Sequence, residues 1–293
     1  MGAGAFLIAS LIELSGERYK YKYCPTTMVG AGVSGPLILI GTVLLIFDLG
    51  AGLQEPLRII HMFANFSSVM TWGIWILSFF LPVCFLYGLI EVMHVHSGVL
   101  AWLRKRLPFL PEDLPYRSIK RLLCSIGSVL ALATAIYTGV LLAVVQAVPL
   151  WNTPVLPILF LVSAVSTGMG LCIDLAATLS IPQIGRRFKY LPLVHMIVIG
   201  LEVALLALFL GLAVVKGGEA AESARLILFG RASVTFWVVV IAFGMVYPFM
   251  VHVYAVARHA HGYISGLLSG VGIVIAGLFV RYLIVAAAIP VIV

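Results

Sequence analysis

Eight apolar runs govern what this sequence can fold into: residues 1–14, 28–48, 69–93, 121–147, 154–179, 192–215, 233–257 and 264–290. A helix needs about 20 mostly apolar residues to cross the hydrocarbon core, and every run but the first is long enough. The composition agrees: 62% of residues are hydrophobic and 10% charged, with a mean hydropathy of +1.16. The expected fold is an all-α integral membrane protein of about eight transmembrane helices. They form one transmembrane domain, residues 1–293, with spans 1–4 and 5–8 grouped as two four-helix halves.

The Lys and Arg residues orient these spans. Sorted by loop, Arg18, Lys20, Lys22, Arg104, Lys105, Arg106, Arg117, Lys120, Arg121, Arg186, Arg187, Lys189 and Arg258 fall on one side. Arg58, Lys216, Arg225 and Arg231 fall on the other, and Arg281 lies inside a run. The positive-inside rule makes the rich side cytoplasmic. Eight spans then leave both termini on the outer, Lys/Arg-poor face. The net charge of +7 is read the same way, as a cytoplasmic excess facing anionic lipid. No aromatic-interleaved basic patch points to nucleic acid.

The first run is short. Residues 1–14 rise about 21 Å as a helix against a core of about 30 Å. Gly2-Ala3-Gly4-Ala5 has the small residues of a packed helix middle, where backbones approach closely. The expectation is that the natural protein has further helical turns before Met1. A signal peptide fits less well, because the positive residues follow the apolar run instead of preceding it. Cys24, Cys84, Cys124 and Cys172 are far apart in sequence, and none lies in an outer loop. They imply neither a structural disulfide nor a Cys-x-x-Cys metal motif.

An ionisable side chain at mid-bilayer costs about 2.5–3.5 kcal/mol on insertion scales, so each one needs a reason. Asp48 lies at the outer end of span 2, and Arg281 lies in the outer part of span 8, where the two can pair; Arg58 is a competing partner. Glu91 and Asp174 lie near inner ends, and Glu202 near mid-membrane. These three are candidates for a proton path, with interfacial snorkelling and helix–helix hydrogen bonds as the alternative. His94, His195 and His252 sit in the inner third. His195 with His252 is the one core pair that could ligate a b-type haem. Tyr137, about ten residues before the end of span 4, is an amphipathic donor in apolar surroundings, or an ordinary interfacial tyrosine.

The outer-side residues resemble a known family. Asp48-Leu49-Gly50, Glu55-Pro56-Leu57-Arg58 and Ser67-Ser68-Val69-Met70-Thr71-Trp72-Gly73-Ile74-Trp75 are similar to the signature of the NrfD/PsrC family, membrane subunits of polysulfide-reductase-type molybdopterin oxidoreductases. Tyr137-Thr138-Gly139, Pro149-Leu150-Trp151-Asn152, Phe160-Leu161-Val162-Ser163-Ala164 and Gly277-Leu278-Phe279-Val280-Arg281-Tyr282 extend the likeness over nearly the whole sequence. The resemblance implies an eight-helix core of a bacterial cytoplasmic (inner) membrane without haem or iron–sulfur cluster of its own. It implies menaquinone or ubiquinone bound near the outer face, with Tyr137 lining the head-group pocket and Asp48, Glu55 and Arg58 at its rim. It also implies an outer-face iron–sulfur ferredoxin-like partner and a molybdopterin catalytic subunit, as in anaerobic respiration. The family's first helix begins earlier than Met1. The residues alone keep two other classes open: a secondary transporter or channel using the intramembrane carboxylates and Arg281, and a passive anchor.

Overall fold

A computed structural model of the protein describes residues 1–15, 25–48, 63, 65–95, 116–178, 190–258 and 263–291. Every element among them is a helix: α1 (Gly2–Leu14), α2 (Pro25–Asp48), α3 (Val69–Val95), α4 (Tyr116–Ala143), α5 (Val155–Thr178), α6 (Tyr190–Lys216), α7 (Gly218–Leu228), α8 (Thr235–Arg258) and α9 (Tyr263–Ala286). Seven of these are long and apolar enough to cross a membrane, and α1 is a shorter apolar helix. The outward-facing side chains are as apolar as the interior: Leu44, Val129 and Leu278 are well exposed along their helices. In water such a surface would associate, whereas in lipid tails it is at home. The architecture expected from the apolar runs is therefore the one observed.

The residues group into two compact units, Gly2–Thr134 and Ala135–Val293 with Met1. In the first, α1 is buried on almost every side, from Gly2 through Ser10, with Leu11 and Leu14 exposed. A Cβ at Gly2 would meet Leu37 and the Ser34 carbonyl on α2, so the small N-terminal residues do mark a close helix contact. The Phe6 ring lies edge-on to Phe80 and Tyr87, each at 5.3 Å, and fills the space where Gly127 would carry a side chain.

The second unit holds two features that apolar periodicity does not reveal. The stretch 216–232, expected as an outer loop, contains α7. Gly217 and Gly218 take positive φ values of 74° and 56°, conformations that L side chains avoid; they end α6 and start an amphipathic helix that buries Ala220, Ala221, Ala224 and Ile227. Helix α8 is π-helical over Thr235–Val246 and α-helical from Tyr247. Against α9, Gly244 meets Ala276 and Gly272 meets the Phe243 carbonyl, so closely that a side chain at either glycine would collide. The outer turn after α4 is tied down by three contacts. Trp151 Nε1 donates to the Ile284 carbonyl at 2.8 Å. Lys216 Nζ donates to the carbonyls of Pro149 and Asn152. Val291 N–H donates to the Ala147 carbonyl at 2.9 Å.

Candidate functional site

The second unit gathers most of the deep ionisable groups along its α5, α6, α8 and α9 helices. Glu202, 4% exposed, projects from the middle of α6 toward α5, where the hydroxyls of Ser166 and Ser163 face its carboxyl. Arg281 on α9 lies within electrostatic reach of the same carboxyl. Its Nη1 donates to the Gly277 carbonyl at 2.8 Å and to Ser163 Oγ at 3.5 Å, and its guanidinium stacks over Phe160 at 5.2 Å. Ser163 therefore touches both charged groups. An Arg281–Asp48 pair was one possibility; within its own unit Arg281 bonds to Ser163 and the Gly277 carbonyl, with Glu202 in electrostatic reach. The side chain of Asp48, and all of Glu55 and Arg58, lie outside the described residues.

His195 and His252 are both fully buried, and His195 Nδ1 stands 3.1 Å from His252 Nε2. The rings meet edge to face at 4.7 Å, and His252 Nδ1 donates to the Pro248 carbonyl at 2.6 Å. The two imidazoles are thus hydrogen-bonded to each other, with one ring nitrogen of each facing the other. Among the described residues, no three His, Cys, Asp or Glu side chains are close enough to share a metal ion. His94 lies near the end of α3, and its side chain is outside the described residues.

Asp174 sits near the Lys/Arg-rich end of α5, 1% exposed. Neither carboxylate oxygen has a hydrogen-bond partner of full geometry, and the same is true of the Ser269 hydroxyl that faces it from α9. Gly270, the next residue of α9, packs directly on the Asp174 side chain. Tyr137 is also buried, 7% exposed, in the part of α4 that belongs to this unit. Two residues on, Gly139 lies so close to the backbone of Leu156 and Pro157 on α5 that no Cβ fits.

In the first unit, Glu91 is committed to an ion pair. Lys120 Nζ donates to Glu91 Oε2 at 2.5 Å, with the two side chains 5% and 2% exposed. Sequence reasoning placed Lys120 in a cytoplasmic loop, but α4 begins at Tyr116 and carries it into the bundle. Glu13, Lys120 and Glu91 all act electrostatically on the Cys124 thiol, which the Tyr87 hydroxyl also faces. Ser163, Ser166 and Ser269 went unnoticed as partners of the acidic groups. The one signal for them was their matching depth on neighbouring spans.

An apolar exterior over a buried file of carboxylates, imidazoles and one guanidinium defines a multi-pass membrane protein with ionisable groups held inside lipid. Comparison with known proteins gives the family. The model of "Polysulphide reductase, NrfD" matches residues 1–293, and the chain belongs to that family. It is 32% identical to the C subunit of polysulfide reductase from Wolinella succinogenes, over 96% of this protein and 89% of that one. It is 28% identical to an NrfD homolog of Haemophilus influenzae, covering 74% of this protein and 67% of the relative. With protein NrfD of Escherichia coli the identity is 27%, over 77% and 70%.

Proposed function

We propose that this protein is the quinone-reactive membrane subunit of a multi-subunit oxidoreductase in a bacterial cytoplasmic membrane. The observation that carries the reading is the family match over the whole length, together with a 32%-identical relative named as one subunit of polysulfide reductase. A quinol gives up two electrons and two protons, and a quinone takes them. Its carbonyls require hydrogen-bond donors within an apolar pocket. Tyr137, a phenol buried in a span, supplies such a donor, with Asp48, Glu55 and Arg58 at the rim and menaquinone or ubiquinone as substrate. Electrons pass to an iron–sulfur subunit on the Lys/Arg-poor face, and from there to or from a molybdopterin subunit. The tied outer turn around Trp151 supports docking there, because a surface already ordered loses less entropy on binding. Asp174 and Glu202 are the groups proposed to serve proton movement; Glu91, the third candidate, is held by Lys120.

The test is Tyr137→Phe in native membranes. Loss of one hydrogen bond of about 1–1.5 kcal/mol predicts a roughly tenfold loss in quinone-dependent kcat/KM, with assembly retained. An unchanged rate removes Tyr137 from the pocket. Recovery of the intact protein from native membranes without an iron–sulfur partner overturns the reading as a whole.

A further inference from the structure

Measured from the Lys/Arg-rich ends of their helices, the polar groups of the second unit form a graded series. Asp174 lies four residues from Thr178 on α5, and His195 five from Tyr190 on α6. His252 lies six from Arg258 on α8, and Ser269 six from Tyr263 on α9. At 1.5 Å per residue these four groups sit about 6–9 Å in. Ser166 and Glu202 are both twelve residues in, about 18 Å, and Arg281 is eighteen, about 27 Å. Four helices thus bring ionisable or hydroxyl groups into one file that runs most of the way across the bilayer.

The members of this file lie close together on neighbouring helices. The His195 ring packs on Gly170, one turn of α5 from Asp174. His195 shares a hydrogen bond with His252, while its Nε2 has no partner of full geometry. Its ring lies beside the backbone of Ser166, whose hydroxyl faces Glu202. Glu202 ends against Arg281 and Ser163.

The near end of the file is open to one side. A groove of about 230 Å³ between α5 and α9 is lined by Asp174, Leu171, Leu267, Gly270 and Val271. Leu267 and Val271 stand at its edge, 41% and 45% exposed. Helix–helix hydrogen bonding explains Glu202 with its serines. It accounts less well for Asp174, which faces only the Ser269 hydroxyl, without a hydrogen bond of full geometry, on the wall of this groove, a position worth its cost only if the group exchanges something. The far end is closed by a fixed cation, the device that excludes protons from other pores.

We infer that the second unit contains a proton-conducting file whose mouth is Asp174 and whose closed end is Glu202 held by Arg281. A proton from the Lys/Arg-rich side converts the Asp174 carboxylate to the acid. It passes to His195, is shared with His252, and reaches the Glu202 carboxylate by way of Ser166. Each step breaks one O–H or N–H bond and forms another, and no electron moves. Arg281, beyond Glu202, bars onward passage. None of these steps depends on quinone binding at Tyr137.

Two experiments on the full-length protein, in native membranes and in proteoliposomes, test it. Dicyclohexylcarbodiimide adds a protonated carboxyl across its C=N bond: the carboxyl oxygen bonds to carbon, the proton goes to nitrogen, and an acyl shift leaves a stable N-acylurea. Peptide mass spectrometry should find that adduct on Asp174, and Asp174→Asn should abolish it. An unmodified Asp174 under conditions that label other membrane carboxyls overturns the lipid-side mouth. In proteoliposomes under a potassium diffusion potential, an internal pH dye reads proton flux. Arg281→Gln, which keeps a hydrogen-bonding group beside Ser163 and Gly277, should raise the flux by about tenfold or more, a modest fraction of what a positioned proton carrier contributes. Adding Asp174→Asn, or separately Glu202→Gln, should return it to the wild-type level. A monodisperse Arg281→Gln protein as tight as wild type overturns the file, and so does a leak that both second substitutions leave untouched. Neither readout uses quinone turnover, so an inactive quinone pocket would leave these results standing and would count only against the proposed function.

Discussion

The buried pair of Lys120 and Glu91 makes the sharpest energetic prediction, because the structure sets its sign and its asymmetry. The pair is close, at 2.5 Å, and almost solvent-free. Glu13 is the third charge in the neighbourhood, since it acts with both partners on the Cys124 thiol. Lys120→Met leaves the Glu91 carboxylate buried without this partner and with the Glu13 charge still near Cys124, while Glu91→Gln keeps a hydrogen-bonding group beside Lys120 and the same Glu13 charge nearby. Removing one partner of a buried pair costs about 3–5 kcal/mol. Lys120→Met should sit at or above the top of that range and Glu91→Gln at or below the bottom. For a protein of this size that is a fall in unfolding temperature of roughly 5–15 °C for Lys120→Met and a smaller one for Glu91→Gln. Tryptophan fluorescence during a thermal ramp in detergent at fixed scan rate is the assay. Combining the two substitutions should recover at least half the loss, because no uncompensated charge of the pair remains. A Lys120→Met protein as stable as wild type would refute the reasoning and show that water reaches the pair. A loss equal in the two single variants would remove Glu13 from the argument.

Two further predictions rest on other parts of the protein. A Cys introduced at Glu219 should react with a membrane-impermeant maleimide added from outside and one at Glu112 should not; the reverse labelling overturns the orientation drawn from the Lys and Arg distribution. Gly139→Ala should destabilise by about 1–3 kcal/mol, because the atoms it meets are the backbone of Pro157 and Leu156 and cannot rotate away; a variant with unchanged unfolding temperature would show that α4 and α5 separate freely there.

The spans were legible because lipid imposes a length and an apolarity that few other constraints mimic. The observed Val155–Thr178 and Tyr190–Lys216 lie within two residues of the expected 154–179 and 192–215. Lys120 was misread for a physical reason: a charge flanked by Arg117 and Arg121 resembles a loop, and nothing local reveals that Glu91 waits on another helix. The π-helical stretch Thr235–Val246 was invisible because its apolar residues satisfy a span in any helical form. Within it, Gly244 packs directly on Ala276 of α9, a contact between spans that the apolar pattern does not announce. The acidic residues themselves were conspicuous in the sequence. What could not be read was which of them have partners, since that depends on serines of ordinary appearance at matching depths.

That difference separates two uses of charge inside one membrane protein. In Gly2–Thr134 the charge contact at Glu91 is closed, with Lys120 at hydrogen-bond distance. Such a pair stabilises or registers a bundle, and protonating it would break it. In Ala135–Val293 the groups are graded in depth: the Asp174 carboxyl faces the Ser269 hydroxyl, the two imidazoles bond to each other, and the Glu202 carboxyl faces the Ser166 and Ser163 hydroxyls. Only the last, Glu202, has a permanent cation beside it. The fixed cation could equally have stood beside Asp174, at the Lys/Arg-rich end of the file. Here the cation stands at the opposite end. Arg281 stands on the Glu202 side, and among the described residues no Lys or Arg is paired with Asp174, which is the asymmetry the proposed file uses.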